Sequence, residues 1–175
     1  MYELTAETIK SLLLFYYRFE KKAVGIDECT YWNKTFIADL LITNFQYITE
    51  VEVKLTKSDL LRDFIDKANK HDAFKKQVSH LPNYFYFCVP NYLVDETLKQ
   101  IELHNNSYGL IEYWNADLPE DVNPMNIGYF FKVIKEPILI TEEYSRSLEM
   151  TIIRKISSEM CNHKIKLLKK IHKIF

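Results

Sequence analysis

Glycine and proline are scarce in this chain, at three and five of 175 residues, which excludes collagen-like, linker-rich and disordered classes. With Gly25, Gly109 and Gly128 the only glycines, there is no GxGxxG turn and no GxxxxGK[ST] loop, so a Rossmann or P-loop phosphate cradle is ruled out. A GxSxG nucleophile elbow is also missing. The five histidines (His71, His80, His104, His163, His172) form no HxH or HExxH pattern, which argues against a zinc hydrolase. Cys29, Cys88 and Cys161 are odd in number, far apart and without a CxxC pair. They fit free thiols in a reducing cytoplasm rather than a disulfide framework or structural zinc. Uncharged apolar runs such as Ser11–Tyr17 fall far short of the ~18–20 residues that span a bilayer. Met1-Tyr2-Glu3-Leu4 has neither the basic flank nor the cleavage site of a secretory signal. The expectation is a cytoplasmic protein without a membrane partner.

What is present is 47% hydrophobic and 27% charged residue, with 12 Tyr and 11 Phe, enough to build one folded domain over residues 1–175. The net charge of −1 conceals an asymmetry. Residues 154–175 carry seven Lys/Arg against the single acid Glu159, while the other 153 residues carry 16 Lys/Arg against 23 acids. A basic C-terminal arm on an acidic body suits an anionic partner such as nucleic acid; a solvated amphipathic helix is the plainer alternative.

Thr5 is a plausible N-cap, and Ile9, Leu12, Leu13 and Tyr16 follow at helical spacing, predicting a first helix to about Glu20. Lys22–Trp32, Thr35–Thr43 and Tyr47–Leu55 read as an antiparallel meander, with turns at Asn33-Lys34 and Asn44–Gln46. Thr56–Asp59 reads as a capping box opening one helix through about Gln77, its apolar face being Leu60, Leu61, Phe64, Ile65, Ala68 and Phe74. Tyr84–Val89 is a short apolar run suited to the centre of a sheet, so its aromatics read as core rather than as base-stacking groups. A helix over Tyr92–Glu102, a strand over Gly109–Trp114, a polar turn region Asn115–Asn126, a strand near Gly128–Ile134 and a last helix marked by Leu148, Ile152, Ile156, Met160, Leu167 and Ile171 complete the chain. The class expected is α/β, a mixed sheet flanked by helices, with a C-terminal basic helix.

Strand alternation puts Glu50, Glu52 and Lys54 on one face of the third strand. Asp39 is the lone acid of an otherwise apolar second strand, costly there unless it is paired or holds a cation. Folding the two strands together brings Asp39 towards Glu52. Two carboxylates and an ammonium at one point suit Mg²⁺ or Mn²⁺, which takes hard oxygen ligands and stabilises phosphate charge. Glu50 is either a second acid of this site or a solvated residue, with the solvated reading preferred.

Asp39 followed by Glu52-Val53-Lys54 resembles the D…ExK signature of the PD-(D/E)XK nuclease superfamily. The helix–strand–strand–strand–helix–strand order from Thr5 to Val89 is similar to that superfamily's restriction-endonuclease-like core. Within it, the Ala-Asp-Leu-Leu strand, the Glu-Val-Glu-Val-Lys strand and the aromatic strand ending Val-Pro resemble MmcB-type DNA repair proteins and their phage or mobile-element relatives. The resemblance covers roughly residues 1–114, a core of about 5–114; the extension of about 115–175 resembles nothing identified. The residue before the aspartate is Ala38, where the signature has proline.

The resemblance implies a metal-dependent deoxyribonuclease. Asp39, Glu52 and the Val53 backbone carbonyl would hold Mg²⁺ or Mn²⁺, Lys54 would position or activate water, and Glu28 or Glu20 would add a further acid. Lys57, Lys67 and Lys70, with His71 beside them, and Lys166, Lys169 and Lys170 on the last helix are candidates for contacts to DNA phosphates. Lys67 and Lys70 could equally belong to a helix laced by salt bridges with Asp63 and Asp66. A homodimer is a possible assembly. Two rival functions stand beside the nuclease: a DNA-binding module without turnover, and an interaction scaffold built on the last helix.

Overall fold

The computed structural model describes residues 4–32, 34–114 and 130–171. In chain order it contains α1 (Ala6–Phe19), β1 (Val24–Tyr31), β2 (Phe36–Thr43), β3 (Ile48–Val53), α2 (Lys57–Asp66) and α3 (Ala68–Lys76). There follow β4 (Tyr84–Pro90), a 3₁₀ turn Asn91–Leu93, α4 (Val94–His104), β5 (Gly109–Tyr113), β6 (Phe131–Lys135) and α5 (Arg146–Ile171). The strands form one sheet in the order β1-β2-β3-β4-β5-β6. β3–β4 and β4–β5 pair in parallel, and the other three pairs are antiparallel. Parallel pairing is what a helical crossover permits, and α2/α3 and α4 supply the two crossovers.

Helices cover both faces. Ile9, Leu13 and Tyr16 of α1 pack with Leu40, Ile42, Val51, Val53 and Cys88 on one side. Leu60, Phe64, Phe74, Ile101, Leu148 and Ile152 pack with Leu41, Phe85, Phe87 and Leu110 on the other. Phe85 and Phe87 are fully buried, so the aromatic strand is core as expected. Thr5 caps α1 by accepting from the Thr8 N–H, and Thr56 caps α2 by accepting from the Asp59 N–H, both at 3.2 Å. In the β2–β3 turn, Asn44 Oδ1 accepts from the N–H groups of Gln46 and Tyr47. Cys29 and Cys88 are buried free thiols and Cys161 is exposed.

Two features differ from the sequence reading. The expected single helix to Gln77 is broken at Lys67 (φ −107°, ψ 25°), which ends α2 and begins α3. Ile65 and Ala68, expected on the apolar face, point to solvent, while Asp63, Lys70 and His71 are buried. The Tyr92–Glu102 helix starts as a 3₁₀ turn and runs on to His104. The polar turn region Asn115–Asn126 and the beginning of the Gly128–Ile134 strand lie outside the described residues. α5 leaves the body after Ile156, and every residue from Ser157 to Lys170 is exposed. No helix among the described residues is long and apolar enough to cross a membrane.

Candidate functional site

β2 and β3 separate at Asp39. Their ladder pairs Thr43 with Ile48 through Leu40 with Val51 and then stops. One step further, the Val53 N–H donates to the Asp39 carboxylate at 2.8 Å instead of to a strand carbonyl. β3 stays attached to β4 there, through Val53 opposite Cys88 and the Lys54 N–H bonded to the Cys88 carbonyl at 3.0 Å. The β1–β2 register skips the same level, pairing Asp27 with Leu40 and Cys29 with Ala38. Glu28 has φ +46° there, a left-handed conformation that interrupts a regular strand. Phe36 and Ala38 face the α2–α5 side whereas Leu40 faces α1, so β2 also turns its faces over at Asp39. The fork is braced by Lys155 of α5, whose Nζ donates to the carbonyls of Asp27 and Glu28.

Glu50, Glu52 and Lys54 share a face, as alternation requires, and α2 and α3 lie over them. Both glutamates are completely buried. The Tyr31 hydroxyl donates to Glu50, and Lys70 Nζ bridges Glu50 Oε1 and Glu52 Oε1, each at 2.6 Å. Glu52 Oε2 meets Lys67 at 2.5 Å and Lys54 at 3.1 Å. Asp63 Oδ1 meets Lys54 at 2.6 Å and Lys67 at 3.1 Å, and Asp63 Oδ2 is 3.0 Å from His71 Nε2. His71 Nδ1 lies 2.7 Å from the Tyr108 hydroxyl.

Glu52 and Lys54 of the expected trio are therefore part of a larger buried ionic cluster, while Asp39 stands beside it, half-buried and bonded to the Val53 N–H. Glu50, preferred as solvated, is sealed inside it because α3 covers that face. Lys70, expected at phosphates, is buried at 1% exposure and spent on Glu50 and Glu52. Lys57 is at the surface and pairs with Glu96. Lys166, Lys169 and Lys170 are exposed on the projecting end of α5. Glu28 lies beside the fork, paired with Lys10 of α1. Glu20 is not brought there, since it follows the far end of α1, about 15 Å along the helix from Lys10. The residues missed were Asp63, as an acid of the cluster, and the inward role of Lys70 and His71. A signal for them exists: 60, 63, 64, 67, 70, 71 and 74 recur at helical spacing, so Asp63, Lys67, Lys70 and His71 continue the stripe of Leu60, Phe64 and Phe74.

Burial and the Glu52 charge push the Asp39 carboxyl up to about 6, against the counter-pull of Lys54, the Val53 N–H and Lys67. Glu52 moves the opposite way: burial disfavours its charge, but Lys70, Lys54 and Lys67 together hold it well below the carboxylate range. Asp63 is likewise held down, by the His71 hydrogen bond and the three lysines acting against burial. Burial disfavours the Lys54 ammonium, yet Glu52 and Asp63 outweigh it and keep the group protonated. Lys54 is thus a charged donor in this arrangement, suited to orienting water or stabilising an anion rather than to removing a proton.

Among the described residues, no three His, Cys, Asp or Glu side chains form a group that could hold a metal ion. The site offers two carboxylates, Asp39 and Glu52, and the Val53 carbonyl, all hard oxygens of the type Mg²⁺ and Mn²⁺ accept alongside water. The raised proton affinity of Asp39 comes first from burial and then from the Glu52 charge. A divalent ion there would have Asp39 and the Val53 carbonyl as hard-oxygen donors and would compete with Lys70, Lys67 and Lys54 for Glu52.

No family model matches the chain, and no curated protein sequence matches it. Among solved structures, the SPO1766 protein of unknown function from Silicibacter pomeroyi is similar. The two chains share 13% identity with a TM-score of 0.61, over 95% of this chain and 93% of that one. At that identity the likeness concerns the fold, a mixed α/β architecture.

Proposed function

We propose that the protein is a cytoplasmic, divalent-metal-dependent nuclease that hydrolyses phosphodiester bonds in DNA. The observation that carries this reading is the fork at which Asp39, fixed by the Val53 N–H, comes under the charges of Glu52 and Lys54. It agrees with the resemblance to PD-(D/E)XK nucleases. Asp39, Glu52 and the Val53 carbonyl would hold Mg²⁺ or Mn²⁺, which supplies charge neutralisation at the phosphate and a more acidic bound water. Lys54, held between Glu52 and Asp63, would orient the attacking water and offset the negative charge that develops at the phosphate. Glu28, at the mouth of the fork, is the further acid. The exposed Lys166, Lys169 and Lys170 give sequence-independent contacts to the DNA backbone.

One observation favours a second reading. Glu52 is already met by three ammonium groups, the arrangement expected of a DNA-binding module that has lost turnover. A cleavage assay on labelled single-stranded, duplex and branched DNA, with EDTA, Mg²⁺ or Mn²⁺, separates the two. Metal-dependent cutting that is lost in Asp39→Asn, Glu52→Gln and Lys54→Ala supports the nuclease. Binding without cutting on every substrate transfers the function to the binding module.

A further inference from the structure

Five tyrosines meet on the face of the sheet opposite the ionic cluster. Tyr84 and Tyr86 alternate with Phe85 and Phe87 along β4, so they turn to the α1 side while the phenylalanines face α2 and α3. With Tyr16 and Tyr17 at the end of α1 and Tyr47 before β3, they line a cavity of about 400 Å³. Small-molecule sites usually measure about 300–1,000 Å³. The rings stand in edge-to-face pairs, Tyr16 with Tyr17 at 5.4 Å and Tyr47 with Tyr84 at 5.3 Å. Gly109 makes room for the fifth. A Cβ there would come within 2.6 Å of the Tyr86 ring; without one, the Tyr86 hydroxyl reaches Glu136 Oε2 at 2.9 Å. Among the described residues, Tyr86 is the only one of the five phenols with a hydrogen-bond partner in the chain. Two charges border them. Lys21 Nζ lies 5.4 Å from the centre of the Tyr16 ring and meets no carboxylate among the described residues. Glu136 meets no cation there, and its Oε1 is open to a donor.

We propose that this cavity binds a nucleoside monophosphate, at a site separate from the fork and independent of how the fork is read. Tyrosine rings are stacking platforms for any base, since every base has a π face. Lys21 supplies the cation for the phosphate. Glu136, an acceptor, faces the donor edge of the base. Guanine matches it best, because its N1–H and N2–H₂ groups are adjacent donors, whereas adenine presents one donor beside a ring acceptor. Asn44 commits its Oδ1 to the N–H groups of Gln46 and Tyr47, which leaves its amide as a donor for guanine O6. A quaternary ammonium, the other ligand that a tyrosine cage takes, is disfavoured because Lys21 already brings positive charge to the Tyr16 ring.

Titration calorimetry of the full chain in EDTA, with GMP, AMP, guanosine and tetramethylammonium, tests this in wild type, Lys21→Met, Glu136→Gln and Tyr47→Ala. All three side chains are exposed, so the variants should unfold at the wild-type temperature. Wild type should bind GMP more tightly than AMP or guanosine. Lys21→Met should remove the advantage of GMP over guanosine, and Glu136→Gln its advantage over AMP. Tyr47→Ala should weaken all three ligands about tenfold, or about 1.4 kcal/mol. A short single strand with a terminal phosphate separates two sources of the same chemistry. Competition with GMP identifies the end of a strand as the ligand, and its absence identifies the free nucleotide. Failure of wild type to bind any nucleotide, binding of tetramethylammonium in their place, or affinities that no variant changes would overturn the site. None of these results bears on metal-dependent cleavage at the fork, which is read by the separate assay above.

Discussion

Val53 donates its backbone N–H to the Asp39 carboxylate at 2.8 Å, across the point where β2 leaves β3. A side chain stands there in place of a rung of the sheet. The bond fixes an acid of β2 against the strand that carries Glu52 and Lys54. Asp39 is correspondingly uncomfortable, with a carboxyl raised to about 6 by burial and by Glu52.

Asp39→Asn should therefore stabilise the protein while abolishing the proposed metal-dependent cleavage. A carboxyl that binds its proton more tightly in the folded than in the unfolded chain makes stability fall as pH rises through the interval between the two pKa values, about 4 to about 6. Asparagine keeps an acceptor for the Val53 N–H and removes the charge. Urea unfolding at pH 7.5 should show a gain of about 1–2 kcal/mol, smaller than the full shift because the group retains some solvent. The gain should vanish near pH 4. A less stable variant at pH 7.5 would contradict the assigned environment.

Glu52 and Asp63 titrate in the opposite sense. Their folded carboxyls are held down, so the stability they contribute is complete above the ordinary carboxylate range and disappears as pH falls through it, from about 4.5 toward about 2 for Glu52. Asp39, and Glu50 with its carboxyl raised by burial, favour the fold as pH falls from neutrality. Stability measured by denaturant from pH 8 to pH 2 should pass through a maximum near pH 5 and drop sharply below pH 4. A profile level down to pH 2 would exclude the ionic cluster.

Lys70→Met should be strongly destabilising. Lys70 is the single ammonium that touches both Glu50 and Glu52, and its loss leaves buried carboxylates short of a cation, a cost of about 3–5 kcal/mol. Adding Glu50→Gln removes one of those charges and should recover more than about 1 kcal/mol in a double-mutant cycle. Additive effects in thermal and urea unfolding would mean that the two side chains do not interact.

Replacing Lys166, Lys169 and Lys170 with alanine should leave the unfolding temperature unchanged, since all three side chains lie on the exposed end of α5. Fluorescence anisotropy with labelled duplex DNA at several salt concentrations should show the slope of log K against log salt falling by about 2–3. An unaltered slope would place the DNA on another surface of the molecule.

Much of the architecture is legible in the residues. Alternation fixes Glu50, Glu52 and Lys54 on one side of β3, because successive side chains on a strand must point oppositely. Thr5 and Thr56 announce their helices through the donors they cap. The lone acid in an apolar strand marks Asp39, and the apolar run of Tyr84–Val89 marks a central strand. These are local consequences of chain geometry and hydrophobicity, available to any reader of neighbouring residues.

Which face a set of charges looks toward is a different matter. Alternation groups Glu50 with Glu52 and is silent on whether water or a helix covers them. That outcome depends on α3, some twenty residues later, whose Lys70 and His71 continue the inward stripe of Leu60, Asp63 and Phe64 over the glutamates. A stripe of mixed charge and aromatic residues can serve as a solvated face or as a buried one, and only its partners across the core decide. The sequence by itself determined the strands, the caps and the Asp39–Glu52–Lys54 grouping, because those follow from short-range periodicity. The tertiary structure alone decided that Glu52 and Lys54 join Glu50, Asp63, Lys67 and Lys70 in one enclosed ionic cluster with Asp39 beside it, because burying charge depends on long-range pairing that no single segment encodes.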